Sequence, residues 1–76
     1  MKLSYDPRYN IAYLQFHEKA AQVEAVKLSD SLVVDIGPDG TVYGIEFLNA
    51  NEQLEQDLGK FFFVNEATGQ TVEVPL

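Results

Sequence analysis

Apolar and polar residues alternate with a period of two through most of the first fifty positions, and turn residues cut that alternation into short runs. Leu3 to Tyr5 is the first run. Asp6-Pro7 ends it, because proline has no amide donor and holds the residue before it extended. Ile11 to Phe16 predicts a second strand and Val23 to Leu28 a third, although Ala20-Ala21-Gln22 before the third could also continue as a helical turn. Leu32 to Ile36 and Val42 to Leu48 are rich in β-branched and aromatic residues, and Gly37-Pro38-Asp39-Gly40-Thr41 between them predicts a tight hairpin. Pro38 suits the first turn position, Asp39 the second, and Gly40 the positive φ of a three-residue loop with a bulge.

The period then changes. Asn49-Ala50-Asn51-Glu52 offers an Asx cap with a glutamate three residues on, and Leu54 and Leu58 stand at i and i+4, so one short helix over 49–59 is predicted with Gly59 just past its end. Phe61 to Val64 and Thr71 to Val74 flank Glu66-Ala67-Thr68-Gly69, which predicts a second hairpin over 60–76 with Gly69 left-handed. The chain therefore reads as a single α+β domain over 1–76: a small antiparallel β-meander over 1–48, packed against one short helix, with a C-terminal β-hairpin.

Pairing Gly37 with Thr41 across the first hairpin puts Ile36 opposite Val42, Val34 opposite Gly44 and Leu32 opposite Glu46 on one side of the sheet. Asp35, Val33, Tyr43, Ile45 and Phe47 then fall on the other. The second strand divides the same way, Ile11, Tyr13 and Gln15 on one side and Ala12, Leu14 and Phe16 on the other. On this register both faces are largely apolar, and a helix presenting Leu54 and Leu58 covers one of them. The second must meet the C-terminal hairpin of the same chain, a second copy, or another protein. Phe61, Phe62 and Phe63 cannot all point inward from one strand, which favours an interface.

Composition narrows the functional classes. Seventy-six residues are one domain, and a chain this short is marginal as a self-sufficient core. Twelve acids against five Lys and Arg give a net charge of −7, the wrong sign for a nucleic-acid backbone binder. No cysteine is present, so disulfides, thiolate zinc and a Cys nucleophile are excluded, and a reducing cytoplasm is the expected setting. No run approaches a membrane span, and the opening residues Met1 to Asp6 predict no signal peptide.

Candidate chemistry is sparse. His17, the sole histidine, stands beside Glu18 and Lys19 and reads as a solvated loop residue, with no partner at metal or general-base spacing. Ser29 and Ser31 around Asp30 read as turn-capping hydroxyls, and no serine sits in a nucleophile elbow. Asp35 and Glu46 are acids inside apolar strands. On the proposed register they lie on opposite faces, each within range of Lys2, Lys27 or Arg8, and so form no paired-carboxylate site. Asp35 to Gly40 lacks the ligand spacing of a calcium loop, and Gly37, Gly40 and Gly44 lack the Lys-Ser or Lys-Thr of a phosphate loop. Tyr5, Tyr9, Tyr13 and Tyr43 read as amphipathic sheet residues.

The opening Lys2-Leu3-Ser4-Tyr5-Asp6, the run Ile11-Ala12-Tyr13-Leu14 and the segment from Leu32 to Leu48, with its Val-Asp strand, Asp-Gly turn and Gly-Ile-Glu strand, together resemble the small bacterial proteins called domain of unknown function 2283. The similarity covers residues 1–50, and the order and spacing of the motifs carry it. Asn10 stands where an acid is common, and the Phe-rich C-terminus lies beyond the pattern. The resemblance implies a compact α+β domain with an antiparallel sheet and a helix, and, since some relatives stand beside small candidate toxin genes, an antitoxin-like role.

The expectation is therefore a non-enzymatic cytoplasmic protein without cofactor or metal, self-associating as a homodimer, with no nucleic-acid or membrane partner. Val33, Tyr43, Ile45, Phe47, Phe61, Phe62 and Phe63 are the expected interface residues. The alternative is an acidic inhibitor that masks a small basic protein by charge and burial; a small enzyme or ligand carrier using His17, Asp35 or Glu46 stands third.

Overall fold

The computed structural model describes residues 1–18, 22–54 and 60–75. Seven strands and one helix run in the order β1 (Lys2–Asp6), β2 (Ile11–Gln15), β3 (Glu24–Ser29), β4 (Leu32–Ile36), β5 (Val42–Leu48), α1 (Ala50–Leu54), β6 (Lys60–Asn65) and β7 (Gln70–Pro75). The first five form one antiparallel sheet in the order β1-β2-β5-β4-β3, and the last two form a separate hairpin. The α+β class and every expected strand are present. The meander holds along β3-β4-β5, and β2 joins it beside β5 rather than β3, which makes β2 to β5 a Greek key. Leu58, Gly59 and the Ala20-Ala21 segment lie outside the described residues.

Both turn glycines behave as the chain predicts. Gly40 takes φ +87 in the β4-β5 turn and Gly69 φ +74 in the β6-β7 turn. The Gly37 amide donates to the Thr41 carbonyl at 2.8 Å, and the Thr41 amide donates to Asp39 Oδ1 at 3.0 Å, which holds the Asp39 carboxyl below its ordinary pKa. The Ser31 amide donates to Ser29 Oγ at 3.2 Å, the expected hydroxyl cap of the β3-β4 turn.

The register of β4 against β5 departs from the expected one after a single step. Ile36 opposes Val42, but Asp35 opposes Gly44, so Tyr43 is an extra residue in β5. Beyond this bulge every residue of β5 changes face relative to the simple register: Val34 meets Ile45 and Leu32 meets Phe47, while Val33 meets Glu46. The two faces are consequently unlike, not both apolar. One carries Leu3, Leu14, Ile45, Phe47, Leu32 and Val34; the other carries Ser4, Tyr13, Gly44, Glu46, Val33 and Asp35. The amides of Phe16 and His17 both donate to the Tyr43 carbonyl, at 2.9 and 3.2 Å, and fix the bulge to the end of β2.

The helix is held from outside. Asn49 has φ 50, unlike the extended backbone of the expected cap, and the cap comes instead from Asn10, itself at φ 55 in the β1-β2 turn. The Asn10 carbonyl accepts from the Ala50 amide at 2.9 Å, and Asn10 Oδ1 accepts from the Asn51 amide at 2.9 Å. Gln53 Nε2 donates to the Ser31 carbonyl at 3.0 Å and also to the Leu48 carbonyl. Ala50 and Ala12 are fully buried, and with Val34 they are the buried apolar residues among those described.

Candidate functional site

Three surfaces could carry function: the polar-bearing sheet face, the apolar sheet face and the C-terminal hairpin. On the first, Tyr13 Oη donates to Asp35 Oδ2 at 2.8 Å, reaching from β2 past β5 to β4. Glu46, on β5 between them, is paired with Tyr13 on one side and Val33 on the other. The sequence reading that separated Asp35 and Glu46 onto opposite faces is thus corrected, and the cause is the Tyr43 bulge. Burial, then the hydrogen bond to Asp35 and the charges of Asp35 and Glu46, push the Tyr13 phenol up to about 12. The phenol thus stays protonated as a donor near neutral pH, and its bond to Asp35 ties β2 to β4 across β5. Arg8 engages Asp6 at 3.2 Å and Lys27 engages Asp30 at 3.6 Å, where either had been considered a partner for Asp35 or Glu46.

His17 is exposed, its ring edge-on to Tyr43 with centroids 5.8 Å apart. No cluster of three His, Asp or Glu able to hold a metal occurs among the described residues. Tyr43 lies against Gly37, where an added Cβ would meet its ring at 2.7 Å.

Among the described residues, the helix Ala50–Leu54 lies over the apolar face, with Ala50 buried as Ala12 is. Between it and the sheet edge lies a cavity of 260 Å³ bordered by Leu3, Tyr5 and Ala12 from the sheet, Ala50 and Leu54 from the helix, and Val74 from the hairpin. Ile45 and Phe47 lie on this face, half-buried, whereas Val33 lies on the opposite one. The bulge therefore divides the expected interface group.

The hairpin is exposed along both strands. Phe61 opposes Val74 and Phe63 opposes Val72, which gives one face four adjacent apolar residues, with Asn65 and Gln70 at its turn end; Phe62 opposes Glu73 and Val64 opposes Thr71 on the other, where Lys60 Nζ lies 3.1 Å from Glu73 Oε1. Phe63 is 61% exposed. Phe61 to Val64 stay exposed, while Val74 and Pro75 border the cavity beside the sheet and helix of the same chain.

Sequence reasoning missed Tyr13, Gly44 and Asn10 as structural determinants. A lone glycine inside a strand signals a bulge or a close approach, and Gly44 provides both: a Cβ there would collide with the Tyr13 hydroxyl and lie 2.9 Å from the Leu14 carbonyl oxygen. Asn10 before an apolar run is the residue type that tolerates positive φ.

No described helix is long and apolar enough to cross a membrane. Neither the curated proteins nor the solved structures contain a match to this chain. The family model described as protein of unknown function (DUF2283) matches residues 2–51, from the first strand to the capped start of the helix and short of the aromatic hairpin, and the chain belongs to that family.

Proposed function

We propose that this chain is a non-enzymatic association module of the bacterial cytoplasm that completes its core by binding a second copy of itself. The supporting observation is its surface. The chain exposes 5761 Å², whereas a compact monomer of its mass, 8.5 kDa, exposes roughly 4,700 Å². Its radius of gyration is 13.9 Å against about 11 Å for a compact domain of this length. The excess, about 1,100 Å² per chain, exceeds the ~800 Å² that each partner gives to a standard interface. Phe61 to Val64, Val72 and Val74 of the hairpin are exposed apolar residues within that surplus, while Leu14, Ile45 and Phe47 on the sheet are half-buried.

Sedimentation velocity across concentration and salt tests the reading. A dimer whose stability is unchanged or strengthened by salt is the expected result, because burial of apolar surface drives it. A monomer at every concentration overturns it. The second reading, an acidic inhibitor of a basic protein, draws on the net charge of −7; it requires a monomer that captures a basic protein at low salt and releases it as screening rises.

A further inference from the structure

Granted that the chain self-associates, we infer that the β6-β7 hairpin of one copy lies on the apolar face of the five-stranded sheet of a second copy, in a reciprocal two-fold exchange. The two faces of the hairpin differ. Phe61, Phe63, Val72 and Val74 are adjacent across its two strands on one, while the reverse is mixed, carrying the Lys60–Glu73 ion pair and Thr71 beside Phe62 and Val64. The face without charge is the one assigned to docking. An isolated two-stranded hairpin is marginal in water, and this one leaves all four apolar residues at least 41% exposed, so it needs a surface to lie on.

The receiving surface is the sheet face around Leu14, Ile45 and Phe47, which is half-buried. Among the described strand residues its acids lie mostly on the other side: Asp35 and Glu46 belong to the opposite face, and Glu24, at the β3 edge, shares the side of Val26 and Val34. The hairpin strands and turn carry Lys60 against Glu66 and Glu73, so most of the net charge of −7 lies elsewhere and copies meeting here repel weakly. A second copy fits these two surfaces better than a cationic partner does. Area agrees as well. In an isologous pair each chain contributes both a hairpin and a sheet face, and two such contacts can absorb the surplus of about 1,100 Å² per chain.

The absence of native cysteine permits a direct test. Val72→Cys and Leu14→Cys are made separately in the full chain, mixed, and treated with a short bismaleimide. Exchange predicts a covalent dimer in the mixture, with neither variant giving it alone. In parallel, Phe63→Asp should weaken the dimer at least about 30-fold, the scale of a buried aromatic hot spot, while Val64→Lys on the reverse face leaves it within threefold. A dimer that persists in Phe63→Asp with no mixed cross-link overturns the exchange and leaves the association reading standing. A wild-type monomer overturns both. Should circular dichroism show Phe63→Asp unfolded, the cysteine pair decides: a cross-link in the mixture supports the exchange, and its absence in a folded wild-type dimer removes it.

Discussion

Tyr13 and Asp35 are hydrogen-bonded at 2.8 Å although β5 runs between their strands. The phenol spans that strand because the residue beneath it is Gly44, the one position in β5 without a side chain. A tyrosine, a glycine and a buried carboxylate thus stitch β2, β5 and β4 together. Asp35 is 7% exposed, and a buried carboxylate is costly unless such donors reach it.

Gly44→Ala should destabilise the fold by roughly 1–3 kcal/mol, the cost of overpacking a filled site. The new Cβ would lie 2.5 Å from Tyr13 Cζ and 2.9 Å from a backbone oxygen that cannot turn aside. Urea unfolding of the variant reads the loss. A midpoint equal to wild type would mean the Tyr13 ring does not occupy that position.

Tyr13→Phe keeps the ring and removes the donor, so it should cost about 1–3 kcal/mol through the weakened solvation of Asp35. The pH dependence follows from the raised phenol. Its ordinary value is 10.0 and its folded value about 12. Over that interval the unfolded chain releases the proton and the folded chain retains it, so this contribution is complete below pH 10 and is lost as pH rises through about 12. Ultraviolet titration of phenolate should show one tyrosine ionising near 12 that is missing from Tyr13→Phe.

Asn10→Ala should loosen the helix start by about 1–2 kcal/mol, since it removes a side-chain acceptor from the Asn51 amide and puts an alanine at φ 55. Asn10→Gly restores the backbone freedom but not the acceptor and should fall between the two. Amide hydrogen exchange at Ala50 to Glu52 separates them: faster exchange at Asn51 in both variants is expected, and equal protection in all three proteins would remove Asn10 as the cap.

Asp6 accepts from the Arg8 side chain and from its amide, and both hold its carboxyl below the ordinary aspartate value of 3.8. Arg8→Ala should therefore move the Asp6 titration upward, as read by carboxyl carbon NMR. The associated stability is present above the unfolded value and lost as pH falls through the folded one, so the variant should be less sensitive to acid in that window.

The hairpins were legible because their turns depend on local backbone chemistry: Gly40 and Gly69 mark positive φ whatever surrounds them. Strand existence was legible for the same reason, from two-residue alternation in Ile11 to Gln15 and Leu32 to Ile36. Strand order was not, since nothing in β2 states that its neighbour is β5 rather than β3. The division of Phe61 to Phe63 between two faces was legible, because three aromatics in a row on a strand cannot share one.

What the sequence determined by itself was the set of elements, the acidic charge, the family pattern and the apolar surplus of the C-terminus. Tertiary structure alone decided which residues share a face. One extra residue at Tyr43 inverts the parity of β5, because side chains alternate with a period of two and pairing fixes parity only through the partner strand. That inversion gathers Asp35, Glu46 and Tyr13 on one side and leaves Ile45, Phe47 and Leu14 on the other. The separation of an apolar face from a polar-bearing one follows from long-range pairing that no local propensity encodes.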